Sequence, residues 1–164
     1  MNKSFFNWNK ISCFRSDNIA TVAEEIMSAI VKANEGSASG YGEDDITETL
    51  ESKYSELFEK DVKVFPVLTG TIANALALSV LCPPFGAICA EENSHIMHDE
   101  CGAPELFTGG AKILPIRGKA GKIAPTQLKK CIAGSSAGFV HAVQPRVLSI
   151  TQISEFGTVY SASE

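Results

Sequence analysis

The 164-residue sequence has no apolar run long enough to cross a bilayer. The longest such stretch, Ala75 to Cys82, stops at Pro83-Pro84, far short of the roughly 20 residues that a spanning helix needs. Positive charge is also scarce: 14 basic against 19 acidic side chains leave a net charge of −5, which gives no field for a phosphate backbone and excludes a general nucleic-acid binder. There is no C-x-x-C pair, and the five cysteines, Cys13, Cys82, Cys89, Cys101 and Cys131, are odd in number. A disulfide framework and a zinc knuckle are therefore not expected, and no metal site is assigned. Arg117-Gly118-Lys119-Ala120 lacks the upstream glycine and the following hydroxyl of a Walker A loop, and no G-x-G-x-x-G occurs. The first ten residues, MNKSFFNWNK, carry no secretory apolar core. Together these absences lead us to expect a cytoplasmic protein with neither a membrane nor a nucleic-acid partner.

What is present has globular proportions, with 45% hydrophobic and 20% charged residues. At about 150 residues per domain, the length fits one compact unit with its own core. Ile19, Val22, Ala23, Ile26, Met27, Ile30 and Val31 recur at helical spacing and predict an amphipathic helix that ends at Gly36. The glycine- and serine-rich segment 36–42 predicts a loop. A second helix follows, with Asp45 as its N-cap, Glu48 completing a box, and Ile46, Leu50, Tyr54, Leu57 and Phe58 on one stripe. Val62 to Leu68 is β-rich and leads through Thr69-Gly70-Thr71 into a helix from Ile72 to Leu81, whose apolar composition on all sides predicts burial. Further strands are expected at Ala87–Ala90, Lys112–Ile116, Val147–Ile150 and Gly157–Tyr160, with a helix opened by Pro125 and closed before Gly134. Strands alternating with helices predict an α/β domain with a largely parallel sheet and ligands at the strands' carboxyl ends. A sheet that has just made a strand at Val147–Ile150 needs helical cover, so the chain reads as cut short.

Three stretches are candidates for chemistry. At Thr69-Gly70-Thr71 a strand-to-helix turn offers unpaired first-turn amides and flanking hydroxyls, which together make an anion cradle; a plain Thr-capped glycine turn would also explain it. The run Ser94 to Ala103 gathers His95, His98, Asp99, Glu100 and Cys101. Histidine there serves as a proton shuttle or a flat ring for stacking; His95 and His98 with Cys101 or Asp99 are a weak metal pattern for want of a second ligand pair, and a polar loop is the plain alternative. Arg15-Ser16-Asp17-Asn18 stands ahead of the first helix, where its polar residues are good caps.

In combination these stretches resemble the amino-terminal part of a threonine aldolase. That family belongs to the β-eliminating lyases, pyridoxal-phosphate enzymes of aspartate-aminotransferase-type fold, and the likeness is greatest to its bacterial low-specificity members. The matching text is Ser16-Asp17-Asn18, Tyr41-Gly42-Glu43-Asp44, Leu68 to Asn74, SHIMHDECGAPELFTGG from Ser94 to Gly110, Gln144 to Gln152, and Glu155 to Tyr160. The resemblance implies that residues 1–164 form an N-terminal segment plus the first part of the cofactor-binding large domain, without the C-terminal small domain. It implies pyridoxal 5'-phosphate as cofactor and threonine or allo-threonine as substrate, cleaved by a retro-aldol reaction to glycine and acetaldehyde. Gly70 and Thr71 would bind the phosphate, His95 would stack on the pyridine ring and serve proton transfer, Ser16 would lie near the substrate carboxylate, and Tyr41 would reach a neighbouring subunit of a homo-oligomer.

In this family the Schiff-base lysine and the aspartate that pairs with the pyridine nitrogen follow the region of Gly157–Tyr160. Here the last lysine is Lys130 and the last aspartate Asp99, neither in a matching motif. The expectation is a truncated large domain, inactive alone and holding the cofactor at most without a covalent bond. A shortened gene product or remnant, one half of a split enzyme, and a non-catalytic binding module all fit. Apolar faces and an unpaired strand edge also predict self-association.

Overall fold

The computed structural model describes residues 17–164. Its contacts divide the chain after Val64 into two units. Among the described residues the first holds a 3-10 turn, Asp17–Ile19, and helices α1 (Glu24–Ala33) and α2 (Asp45–Phe58). Helix α1 starts at Glu24, later than its periodicity predicts, leaving Ile19 in the 3-10 turn and Val22 outside the helix. Helix α2 is capped by Asp44, one residue before the expected Asp45. Asp44 Oδ1 accepts from the amides of Ile46 and Thr47 at 3.1 and 2.9 Å, and Oδ2 accepts from Thr47 Oγ1 at 2.6 Å. These bonds favour the charged form, and they hold the Asp44 carboxyl below the usual carboxylate range. The segment 36–42 is a loop, as expected.

The second unit, Phe65–Glu164, carries helix α3 (Gly70–Leu81), strand β1 (Gly86–Glu91), helices α4 (His95–His98) and α5 (Ala103–Phe107), strand β2 (Lys112–Ile116), helix α6 (Pro125–Gly134) and strand β3 (Gln144–Leu148). The strands form a parallel sheet in the order β2-β1-β3. Its centre is β1, which is buried from end to end. That burial explains the unbroken apolar run Ala87–Ala90, because a parallel strand covered on both faces has no polar side to show. Ile88 and Ala90 join Leu78, Cys82, Ile96 and Ala111 in the core, with Met97, Ile113 and Val147 around them. Side chains alternate along a strand, and on the opposite face Cys89 meets Cys131 of α6, Sγ to Sγ 3.9 Å. Gly86 opens β1 where a Cβ would lie 2.9 Å from Cys82 Sγ and 3.1 Å from the Pro83 carbonyl oxygen, so only glycine lets α3 turn this tightly into the sheet.

Several expected elements differ. Val62 to Leu68 forms no strand among the described residues; Phe65 and Leu68 are exposed. Helix α3 buries Ala75 and Leu78 only, while Leu76, Val80 and Leu81 face outward, because the sheet covers one side of the helix. Strand β3 begins earlier than Val147, at Gln144, and its register slips opposite Ala87–Ile88. A flanking strand with a bulge tolerates Pro145, as β2 tolerates Pro115. The segment Gly157–Tyr160 is a loop, because its backbone groups bond locally to Ser154 and Gln152. The Gly157 amide donates to the Ser154 carbonyl at 2.8 Å, the Thr158 amide to Ser154 Oγ at 3.2 Å, Gln152 Nε2 donates to the Tyr160 carbonyl at 2.9 Å, and the Tyr160 amide donates to Gln152 Oε1 at 2.8 Å.

Ile88 fills the centre of the sheet with no exposed surface. Ile88→Ala is expected to lower unfolding free energy by about 2–5 kcal/mol through lost burial and a residual cavity; an unchanged urea midpoint would contradict this placement of the core.

Candidate active site

Helix α3 starts where an extended Thr69 (φ −144°, ψ 157°) turns into Gly70. Thr69 Oγ1 accepts from the Ile72 amide at 3.2 Å and the Thr69 carbonyl from Ala73 at 3.1 Å. The Gly70 and Thr71 amides precede the first helical bond and have no acceptor within the helix. Apart from its chain neighbours and the helix's own backbone, no heavy atom lies within 4 Å of the point where a Cβ on Gly70 would stand, so no other part of the protein crowds this side of the helix start. Positive amide dipoles at an uncrowded helix start suit a phosphate-type anion.

Helix α4 follows β1 at the carboxyl end of the sheet. Ile96 is buried in the core and fixes this short helix, which leaves the neighbouring His95 half-buried at the surface. His95 Nδ1 lies 2.9 Å from Glu100 Oε1, and Asn74 Nδ2 of α3 donates to the same oxygen at 2.7 Å. The Glu100 side chain is fully buried, whereas that of His95 keeps 44% of its surface. One carboxylate oxygen thus ties His95 to the second turn of the helix whose first turn offers the anion cradle. The Glu100 hydrogen bond raises the His95 pKa above 6.5 despite partial desolvation, and the charges of Glu100, Glu155 and Asp99 add to the rise.

Beyond His95, the polar groups at the strand ends serve the scaffold. Glu91, at the end of β1, accepts from the Asn93 amide at 2.7 Å and the Gly118 amide at 3.3 Å. Ser94 Oγ is buried without a protein partner and lines a cavity of about 10 Å³ together with Ser149, Thr151 and Glu155; that volume suits one water molecule. His98 turns away from His95 and bonds through Nε2 to the Glu92 carbonyl at 2.7 Å. Among the described residues no group of three or more His, Cys, Asp or Glu could hold a metal, and no helix is long and apolar enough to cross a membrane.

The structure therefore links two of the expected features, the Gly70-Thr71 amides and His95. Tyr41 lies in the first unit, in a left-handed conformation (φ 62°) with its ring fully exposed. Ser16 lies outside the described residues. Sequence reasoning gave Glu100 and Asn74 no role. The available signal was an acid five residues after a histidine, but its burial depends on the turn at Cys101 (φ 48°) and on α3, which are tertiary features.

A parallel sheet with helices packed on it, and with a helix start and a tethered histidine at its strand ends, defines a class: α/β proteins whose ligands usually sit at the carboxyl ends of the strands. The chain belongs to the β-eliminating lyase family, whose profile matches residues 14–164. It is 39% identical over 151 residues to a low-specificity L-threonine aldolase of Pseudomonas sp. (strain NCIMB 10558), covering 92% of this chain and 43% of that protein. A low-specificity L-threonine aldolase of Pseudomonas aeruginosa is 37% identical over the same coverage. In three dimensions it matches a threonine aldolase of Leishmania major with a TM-score of 0.79 and 25% identity, over 87% of this chain and 41% of that one. The chain thus spans less than half the length of these relatives, and its fold is part of theirs.

A raised histidine pKa in the folded state stabilises the fold most below the unfolded value near 6.5, and that stabilisation is lost as pH rises through the folded value. The stability difference between wild type and His95→Gln is therefore expected to shrink from pH 5.5 to about pH 8.5. Urea midpoints of both proteins across this range test it; a difference that grew with pH would contradict the His95–Glu100 pairing.

Proposed function

We propose that these residues form the phosphate-binding and ring-facing side of a pyridoxal 5'-phosphate site, used for retro-aldol cleavage of L-threonine or L-allo-threonine to glycine and acetaldehyde. The observation that carries this reading is the shared Glu100 oxygen, which couples the α3 cradle to His95. The residues present suit the cofactor, since the α3 start offers free amides with no other part of the protein crowding Gly70, and a flat, half-exposed ring is held on the same scaffold. Gly70 and Thr71 would hold the phosphate. When bound, the cofactor supplies the electron sink for carbon–carbon cleavage. His95 would lie against its ring and move a proton, with its orientation set by Glu100. Ser16 would lie near the substrate carboxylate and Tyr41 would serve a neighbouring subunit, as the family resemblance implies.

In this proposal the protein works as a cytoplasmic homo-oligomer. The support is the apolar surface of Leu76, Val80 and Leu81 on α3, together with Phe65 and Leu68, all of which are exposed. Exposed apolar side chains of this kind are what a contact between subunits would cover. The covalent lysine and the aspartate for the pyridine nitrogen have no counterpart in the matching motifs of this sequence, so the 164 residues alone would bind the cofactor without turning over substrate.

Equilibrium dialysis is expected to show saturable binding of pyridoxal 5'-phosphate and at least about tenfold weaker binding of pyridoxal, a difference of roughly 1.4 kcal/mol or more. Gly70→Asp, which puts a carboxylate into the cradle, should remove the preference; equal affinity for both compounds in the wild type would refute the cradle. The chain alone should release no acetaldehyde from threonine, and borohydride should leave no single lysine labelled. Turnover together with one stoichiometric lysine adduct would overturn the claim of inactivity.

A further inference from the structure

We infer that Glu100 is a positioning residue that fixes His95 in the Nδ1–H tautomer and so presents Nε2 as a proton acceptor at the site. Donor and acceptor roles lead to this assignment. Asn74 Nδ2 can only donate, and it donates to Glu100 Oε1 at 2.7 Å. His95 Nδ1 shares that oxygen at 2.9 Å. A carboxylate oxygen accepts two such bonds readily, whereas a protonated oxygen giving its hydrogen to His95 would be a poor acceptor for Asn74. The proton of the His95–Glu100 bond therefore belongs on Nδ1. The other ring nitrogen, Nε2, makes no hydrogen bond to protein among the described residues, on a half-exposed ring. The hydrogen bond made by one ring nitrogen decides the state of the other, and a buried acid that orients a histidine in this way leaves Nε2 as the base.

A neighbouring residue provides an internal contrast. His98 Nε2 lies 2.7 Å from the Glu92 carbonyl oxygen, which can only accept. His98 is thereby the Nε2–H tautomer, and two histidines three residues apart are fixed in opposite states. The charged groups acting on His95 are Glu100, Glu155 and Asp99, all acidic, so they favour protonation of the ring without changing which nitrogen bonds Glu100. Burial strengthens the assignment. The Glu100 carboxylate has no solvent of its own and its Oε2 is without a partner, so Oε1 alone holds its hydrogen bonds. The reading of Nε2 as a proton acceptor for substrate chemistry rests on the function proposed above; the tautomer does not.

The test is a long-range 1H–15N spectrum of the ¹⁵N-histidine-labelled chain without cofactor, at a pH above the His95 titration, where three histidines give a resolvable set. The expected spectrum has His95 with a pyrrole-type Nδ1 and a pyridine-type Nε2, and His98 with the reverse. Glu100→Gln retains an acceptor for Nδ1–H, so the tautomer should persist while the His95 titration midpoint falls. Glu100→Leu should convert His95 to the Nε2–H form that an unrestrained imidazole prefers. If Glu100→Leu does not fold, the wild-type spectrum decides alone. A wild-type His95 in the Nε2–H form, or a midpoint unmoved in a folded Glu100→Gln protein, would overturn the inference. Because no cofactor is present, such a failure leaves the cofactor reading standing, and failure of cofactor binding leaves the tautomer result intact.

Discussion

Glu100 Oε1 takes hydrogen bonds from Asn74 of α3 and His95 of α4, and much of the site depends on that one atom. A buried charge must be compensated where it stands, since hydrogen bonds to charged groups are worth about 1.5–3 kcal/mol each and leaving them unmade costs more. Asn74, like His95, keeps contact with solvent. The His95 end is half-exposed, and solvent screens part of its contribution. What the arrangement secures is register, because the helix that offers free amides and the helix that offers an imidazole cannot shift independently while they share one acceptor. The α3 start and the histidine are therefore held together within the second unit.

The clamp is possible because β1 is buried along its whole length. Ile88 and Ala90 hold the layer that includes Leu78 and Ile96, which seats α3 and α4 on a common core. On the other face Cys89 sits against Cys131, and burial together with that neighbouring thiol pushes the Cys89 pKa up to about 11. Such a thiol is a packing group and a poor nucleophile. In the proposed reading, function thus concentrates at the carboxyl end of the sheet, in side chains whose backbones are anchored on this core.

The local features of the fold were largely legible in the sequence. Ala87–Ala90, Lys112–Ile116 and the Pro125 helix could be read from apolar runs, flanking turns and proline at a helix start. Elements that depend on partners were misjudged. Val62 to Leu68 has the composition of a strand but joins no sheet among the described residues, and Gly157–Tyr160 makes its hydrogen bonds with Gln152 and Ser154 instead of a ladder. At the site, Gly70, Thr71 and His95 stood out by type and spacing. Glu100 did not, because an acid in a polar run looks solvated until the chain reverses at Cys101 and buries it beneath α3. Asn74 looked like an ordinary helix residue for the same reason: its partner is 26 residues away.

The central claim is that the cradle and the histidine receive one ligand together. An amide- and imidazole-resolved NMR titration of the chain with pyridoxal 5'-phosphate tests it most directly. The account predicts that the Gly70 and Thr71 amides and the His95 ring shift along a single saturable curve. Shifts confined to scattered surface lysines, or a His95 response that saturates at a different concentration from the two amides, would contradict it.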